Sequence, residues 1–213
     1  MSETVPGIEI YNKHGHVWLE SKASDVHTKE ILEILINHIS ILGESPCILD
    51  LACGYGRLTL PLLEKGWDVL GVDLSPVLIE EAERRRKIIK LGNENTFRIG
   101  DMKEIPFPNS QFDFCFCVWA SLNFLVTWED QMKSFREFYR ILKPGGSFFI
   151  EIPFHDEELP KVQEIETKGM KYLYFPFTRG YLENILSKIS FQFYSMEEIK
   201  IANRKRIVVY MKK

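Results

Sequence analysis

The 213-residue sequence predicts a single α/β domain: a mixed seven-stranded sheet with helices on both faces. Between residues 47 and 153, short apolar runs alternate with amphipathic segments, the pattern of parallel strands joined by crossover helices. Two further apolar runs, 191–201 and 205–211, are separated only by a tight turn around Asn203, so they form an antiparallel hairpin at the end of the sheet. The length suits one domain with a full core and is short for two.

Each element follows from local chemistry. Residues 1–22 read as irregular, with Tyr11, Trp18 and two histidines in a polar setting that cannot form a core alone. Ile31, Leu35, Ile39 and Leu42 recur at helical spacing, predicting a helix over 25–42 that Gly43 ends; with the preceding stretch it makes an N-terminal cap and helix over 1–43. A strand over 47–51, a helix over 57–65 and a strand over 68–73 come next. Ser75-Pro76 is a capping residue followed by a first-turn proline, which opens a helix to residue 90. Strands are expected over 96–99 and 112–119. Thr127-Trp128-Glu129-Asp130 opens a helix to 142, which Lys143-Pro144-Gly145-Gly146 ends before a strand over 147–153. Residues 154–177 are acidic and then aromatic (Tyr172, Tyr174, Phe175, Phe177) without a period; a stretch that long reads as a lid-like insertion. A helix over 178–190 precedes the terminal hairpin.

Bulk properties narrow the partners. A net charge of −3, with 45% hydrophobic and 27% charged residues, gives no field that draws in phosphate backbones, so nucleic acid is not an expected partner. No apolar run approaches the roughly 20 residues that span a bilayer. The start of the chain lacks a basic-then-apolar leader pattern, and a cytoplasmic location is expected. Cys47 and Cys53 flank the first strand, while Cys115 and Cys117 alternate on one strand with parallel side chains, a poor geometry for bridging. Four reduced cysteines and no metal site are therefore expected.

The densest information lies in Ile48-Leu49-Asp50-Leu51-Ala52-Cys53-Gly54-Tyr55-Gly56, a buried strand running into a glycine turn. Glycine there lets a ligand approach the main chain. Asp73, nineteen residues after Gly54 at the end of the second strand, stands where a ribose diol needs an acceptor, so the pair points to a nucleotide-type cofactor. Plainer readings exist. Asp73 could cap the next helix, although Ser75 is the better cap, and Asp101 could be an ordinary turn residue. Arg84-Arg85-Arg86-Lys87 resembles an anion patch, but Glu80, Glu81 and Glu83 stand four residues before Arg84, Arg85 and Lys87 and favour an ion-paired, solvated helix face.

Four segments together resemble the class I S-adenosylmethionine-dependent methyltransferases, from about Tyr11 to the C-terminus. They are Leu49 to Gly56, Gly71-Val72-Asp73-Leu74-Ser75-Pro76, Gly100-Asp101-Met102 with Ile105-Pro106-Phe107 and Phe112-Asp113, and Arg140-Ile141-Leu142-Lys143-Pro144-Gly145-Gly146. The resemblance implies a Rossmann-like doubly wound fold, S-adenosylmethionine as donor and S-adenosylhomocysteine as product. It implies that the Ala52, Cys53 and Gly54 backbone meets the methionine part, Asp73 the ribose with Leu74 beside the adenine, and Asp101 the adenine amino group with Met102 on the ring. Val118 would begin the segment beneath the methionine, and Asp50 would support the glycine turn from behind.

Rival classes are weighed on the same residues. A nicotinamide dehydrogenase would carry a third glycine where Thr59 stands. A non-catalytic module that binds the same cofactor stays open, since binding and turnover are separable. Trp119-Ala120-Ser121-Leu122-Asn123 replaces the Asn-Pro-Pro-Tyr of amino-directed nucleic-acid enzymes, and the Pro-Cys pair Pro46-Cys47 lies at the wrong end of the sheet for a cytosine enzyme. A small-molecule acceptor is therefore favoured over protein or RNA, methylated by in-line displacement. Trp119, Asn123, Phe124 and His155 are the expected acceptor pocket. His155, then Glu151, is the candidate base if one is used; the catalytic residue and the oligomeric state stay unassigned.

Overall fold

A computed structural model describes residues 4–156 and 160–213. The start of the N-terminal cap (1–3) and three positions of the expected insertion (157–159) lie outside the described residues. In chain order the elements are β1 (Thr4–Val5), α1 (Ile8–Lys22), α2 (Asp25–Ile39), β2 (Ile48–Leu51), α3 (Thr59–Glu64), β3 (Val69–Asp73), α4 (Pro76–Ile89), β4 (Phe97–Ile99) and β5 (Phe112–Cys117). A short 3-10 turn (Leu122–Phe124) leads to α5 (Trp128–Ile141), β6 (Leu142–Pro153), β7 (Gln163–Thr167), β8 (Met170–Tyr174), α6 (Arg179–Leu186), β9 (Phe193–Ile201) and β10 (Arg204–Lys212).

The main sheet has seven strands in the order β4-β3-β2-β5-β6-β10-β9. The first five are parallel, while β10 is antiparallel to both β6 and β9. Consecutive strand residues sort to opposite faces, as the period of two requires. Leu49, Leu51, Cys115 and Cys117 pack with Met132, Phe135 and Phe138 of α5 and Leu182 and Ile185 of α6. Ile48, Phe114 and Phe116 pack on the other side with Ile31 and Leu35 of α2, Leu62 of α3 and Ile79 of α4. All four cysteines are unpaired. At the β9–β10 turn Ala202 and Asn203 both have positive φ, the hairpin geometry whose twist matches the strands it joins.

Three departures from the sequence expectations matter. Residues 8–22 are not irregular: they form α1, kinked at Gly15, and bury Ile10 and Trp18. The stretch expected to be a lid-like insertion carries a hairpin, β7–β8, and β1 adds to it in parallel, making a separate three-stranded sheet. Lys143 to Gly146 are drawn into β6 as an irregular start rather than lying before it, with a register shift against β5 between Phe112 and Phe114. The basic run on α4 is ion-paired as expected, but chiefly through Glu81 with Arg84 and Arg85 and through Glu83 with Arg86.

Candidate functional site

The chain runs outward from β2 through β3 to β4 and then returns to the other side of β2 as β5. Ligands of such sheets bind beyond the carboxyl ends of the strands at this reversal. A cavity of about 260 Å³ lies there. Its wall includes Ala52, Cys53, Gly54, Asp73, Leu74, Asp101, Met102 and Val118, so all eight positions expected to hold a cofactor face one space.

Backbone geometry sets this wall. Ala52 (φ +61°), Gly54 (φ +58°) and Trp119 (φ +74°) lie in the left-handed region. For a residue as bulky as Trp119 this costs on the order of 1–3 kcal/mol and persists only where surroundings impose it. Asp73 Oδ2 accepts the Gly54 N–H at 2.9 Å and Oδ1 accepts the Ser75 N–H at 2.8 Å, while Ser75 Oγ caps α4 at Leu78. The acid thus orients the glycine turn, and the capping role read for Ser75 holds alongside it. Burial raises the Asp73 carboxyl above its ordinary pKa, partly offset by the N–H groups of Ser75, Gly54 and Leu74. Behind it, Asp50 is buried and accepts the Thr59 hydroxyl at 2.7 Å; burial pushes its pKa up to about 7 against the opposing pull of Thr59 and Arg57. Asp101 Oδ1 accepts the Lys103 N–H at 2.9 Å, so Asp101 shapes its own turn as well as facing the cavity.

The opposite wall comes from the cap and from the segment after β5. Pro6, Gly7, Ile8 and Tyr11 line the cavity together with Trp119, Phe124 and Leu125. A Cβ at Gly7 would stand 2.0 Å from Phe124 Cδ1, so only glycine lets the cap lie directly on that ring. Tyr11 packs edge-on to both Trp18 and Phe124. Its phenol pKa is raised, first by burial and then by the Asp73 charge.

Trp119 and Phe124 line the cavity, and two other expected pocket residues do not. Asn123 is fully buried behind the wall: its Nδ2 donates to the Phe175 carbonyl at 2.7 Å, and its own carbonyl accepts the Phe175 N–H at 2.7 Å. It ties the end of β8 to the main body instead of facing the cavity. His155 also lies off the cavity, with Nε2 3.0 Å from the Tyr174 hydroxyl. Glu151, the second candidate base, is buried away from the cavity in a charged cluster. Its Oε2 accepts the Trp119 N–H at 2.8 Å, and its Oε1 stands 3.3 Å from His27 Nε2 and 2.7 Å from Arg206 Nε. Burial alone would raise its pKa, but the His27 bond and the Arg206 charge outweigh that and hold it below the ordinary carboxylate value.

Residues that sequence reasoning missed include Arg57, which lines the cavity with its guanidinium 5.0 Å from the Trp119 ring centre, and Pro6, Gly7 and Ile8. Arg57 directly follows the second glycine of the turn, a position from which a side chain can reach the ligand. Nothing local marks residues 6–8, because their place depends on a hairpin some 160 residues away. Among the described residues no cluster of three His, Cys, Asp or Glu side chains could hold a metal, and no helix is long and apolar enough to cross a membrane.

Comparison with known proteins agrees with this geometry. Residues 48–146 match the family described as a methyltransferase domain. The chain is 38% identical over 105 residues to the demethylmenaquinone methyltransferase of Thermus thermophilus, covering 48% of this chain and 45% of that protein. It is 31% identical over 100 residues to the malonyl-[acyl-carrier protein] O-methyltransferase of Serratia marcescens, covering 46% and 35%. The chain thus spans less than half the length of these two curated relatives. In structure it superposes on an S-adenosylmethionine-dependent methyltransferase from Clostridium acetobutylicum with a TM-score of 0.68 at 20% identity, over 95% of this chain and 98% of that one. Residues 48–146 of this chain match a methyltransferase domain, and the chain as a whole has the fold of the S-adenosylmethionine-dependent methyltransferase it superposes on.

Proposed function

We propose that the protein is an S-adenosylmethionine-dependent methyltransferase acting on a small-molecule acceptor. The observation that carries this reading is the convergence of the glycine turn, Asp73, Leu74, Asp101, Met102 and Val118 on one cavity at the strand reversal. The donor set fits the cofactor: carboxylates at Asp73 and Asp101 suit hydroxyl and amino donors, and Leu74 and Met102 offer apolar surface to a purine. Bound there, S-adenosylmethionine supplies a methyl group already activated on a sulfonium. Asp73 would accept from the ribose hydroxyls and Asp101 from the adenine amino group, and the Ala52, Cys53 and Gly54 backbone would hold the methionine part.

The chain's own task is to align donor and acceptor and keep water out, which contributes up to ~7–11 kcal/mol in favourable cases. His155 and Glu151 both lie off the cavity, so neither is the base in this reading. Trp119, Phe124, Tyr11 and Ile8 form the acceptor end, and their apolar surface favours a small organic acceptor over a protein or RNA segment. The names of the demethylmenaquinone and malonyl-[acyl-carrier protein] enzymes point the same way. The three-stranded sheet with α1 serves as a lid that completes this end when the donor is bound. A cytoplasmic location belongs to the same reading and is supported by four unpaired cysteines.

Calorimetry and thermal melting test the proposal. S-adenosylhomocysteine should bind and raise Tm by mass action, and NAD should do neither. Binding of NAD without S-adenosylhomocysteine would end it. Turnover of a methyl acceptor from a panel of quinols, phenols, amines and carboxylic acids, read as S-adenosylhomocysteine release, separates an enzyme from a binding module.

A further inference from the structure

Two cationic side chains line the cavity, and they differ in what neutralises them. Lys103 Nζ stands 3.7 Å from Asp101 Oδ2 and 3.5 Å from Asp130 Oδ1. Arg57 has no carboxylate oxygen within 4.0 Å among the described residues. Its Nη1 donates to the Thr28 hydroxyl at 2.8 Å and lies 3.5 Å from His27 Nδ1, leaving most of the guanidinium fork uncommitted.

A second arginine stands behind it. Arg206 is 5% exposed and shares the Trp119 ring with Arg57, their guanidinium carbons 5.7 and 5.0 Å from the ring centre. Glu151 is the carboxylate that balances Arg206, and it also accepts the Trp119 N–H. The Arg206 Nε–H, 2.7 Å from Glu151 but poorly aligned with it, is left without a hydrogen-bond acceptor. Two guanidinium groups thus sit beside one indole with one carboxylate in ion-pair reach. A charge withdrawn from water without a partner is costly, and an arrangement of this kind is complementary to an anion arriving from the cavity. Burial also lowers the Arg57 pKa, against the attraction of Tyr55, Asp50 and Glu151, consistent with a cation short of counter-charge.

From this arrangement we propose that Arg57, with Arg206 beside the same Trp119 ring, is a carboxylate-binding subsite of the cavity. The planar fork of Arg57 can pair with both oxygens of a carboxylate in its own plane, which fixes orientation as well as charge. This inference rests on the methyltransferase reading, which supplies two sources for that group: the amino-acid end of the methyl donor, or an acidic acceptor.

Calorimetry on the full chain separates these sources, with S-adenosylhomocysteine, 5′-methylthioadenosine (the same thionucleoside without the amino-acid end), and malonate and benzoate as probes. If the donor fills the subsite, Arg57→Gln weakens S-adenosylhomocysteine at least tenfold and leaves 5′-methylthioadenosine within twofold, and Arg57→Lys recovers part of the loss. If the acceptor fills it, Arg57→Gln leaves both nucleosides unchanged and abolishes saturable binding of malonate or benzoate to the S-adenosylhomocysteine-bound protein. Equal weakening of both nucleosides, or no change with any probe, overturns the subsite. Should Arg57→Gln not fold, Arg206→Lys is read with the same probes: weakening confined to carboxylate-bearing ones supports the subsite, and any other pattern overturns it. A wild-type protein that fails to bind S-adenosylhomocysteine removes the methyltransferase reading and this one with it. Binding by the wild type with no selective loss in the variant removes only the subsite.

Discussion

The two walls of the cavity are held by different forces. On the sheet side, residues 50–54, 73 and 118 sit at the ends of parallel strands, and Asp73 pins the glycine turn through two N–H bonds to groups that are themselves parts of the framework. On the cap side, residues 6–11 and 121–125 are joined by ring contacts, by a two-residue strand and by the Asn123–Phe175 bonds. Directional bonds to a rigid sheet give one geometry, whereas aromatic packing tolerates rearrangement at small cost. The comparison teaches that the sheet wall suits an invariant ligand part and the cap wall suits the part that differs between substrates.

Four measurements would sharpen or break this contrast. The largest effect concerns the electrostatic tension of the sheet wall. Asp50 has a folded-state pKa of about 7, above its unfolded value, so the folded form holds the proton more tightly. Its contribution is fully present below an unfolded pKa of about 4 and is lost as pH rises towards 7, a change on the order of 3–4 kcal/mol. Chemical denaturation of wild type and Asp50→Asn across pH 4–8 should show the wild type losing stability relative to the variant as pH rises. Parallel curves would mean that Asp50 stays ionised.

Next comes Asp73→Ala, which removes a charged acceptor and should cost ~1.5–3 kcal/mol of S-adenosylhomocysteine binding. Unchanged calorimetric affinity in a folded variant would detach the sheet wall from the cofactor. On the cap side, Asn123→Ala leaves the Phe175 carbonyl without its side-chain donor and should lower stability by ~1–2 kcal/mol, with little effect on nucleoside affinity. An equal loss in both would show that the two walls are not independent.

The smallest effect on stability is expected from Gly7→Ala, whose added methyl must push the cap off Phe124. Limited proteolysis reads it. Cleavage within 4–22 and 160–177 should be faster in the variant than in wild type, and S-adenosylhomocysteine should protect the wild type. Identical digestion with and without ligand would make the cap a permanent flap rather than a lid.

The same division explains what could be read from the chain. The strands, the order of helices, the glycine turn and Asp73 depend on patterns within a few residues, whereas Leu74, Asp101, Met102 and Val118 are implied by the family resemblance. Asn123 looked like a pocket group because a polar side chain follows a strand end, yet its partner Phe175 lies 52 residues on, where sequence spacing carries no information. Helix α1 hid behind its polar composition and Gly15, and its burial depends on Met170 and Tyr172 arriving from the hairpin. That hairpin did leave a signal, Lys168-Gly169 with both residues at positive φ, between two five-residue strands. It passed unnoticed because β7 alternates between partly and fully exposed positions and has no buried face.

The placement of β10 between β6 and β9 bears on the order in which the protein is made. This strand leaves the ribosome after every other strand of the sheet, yet it occupies an interior lane and delivers Arg206 to Glu151. Until then, β6 is an open edge with a carboxylate facing nothing cationic from that side. A chain emerging without β10 lacks the Arg206 side of the charged bracket that holds the Trp119 backbone. Completion of the sheet and completion of the bracket at Trp119 are therefore one event.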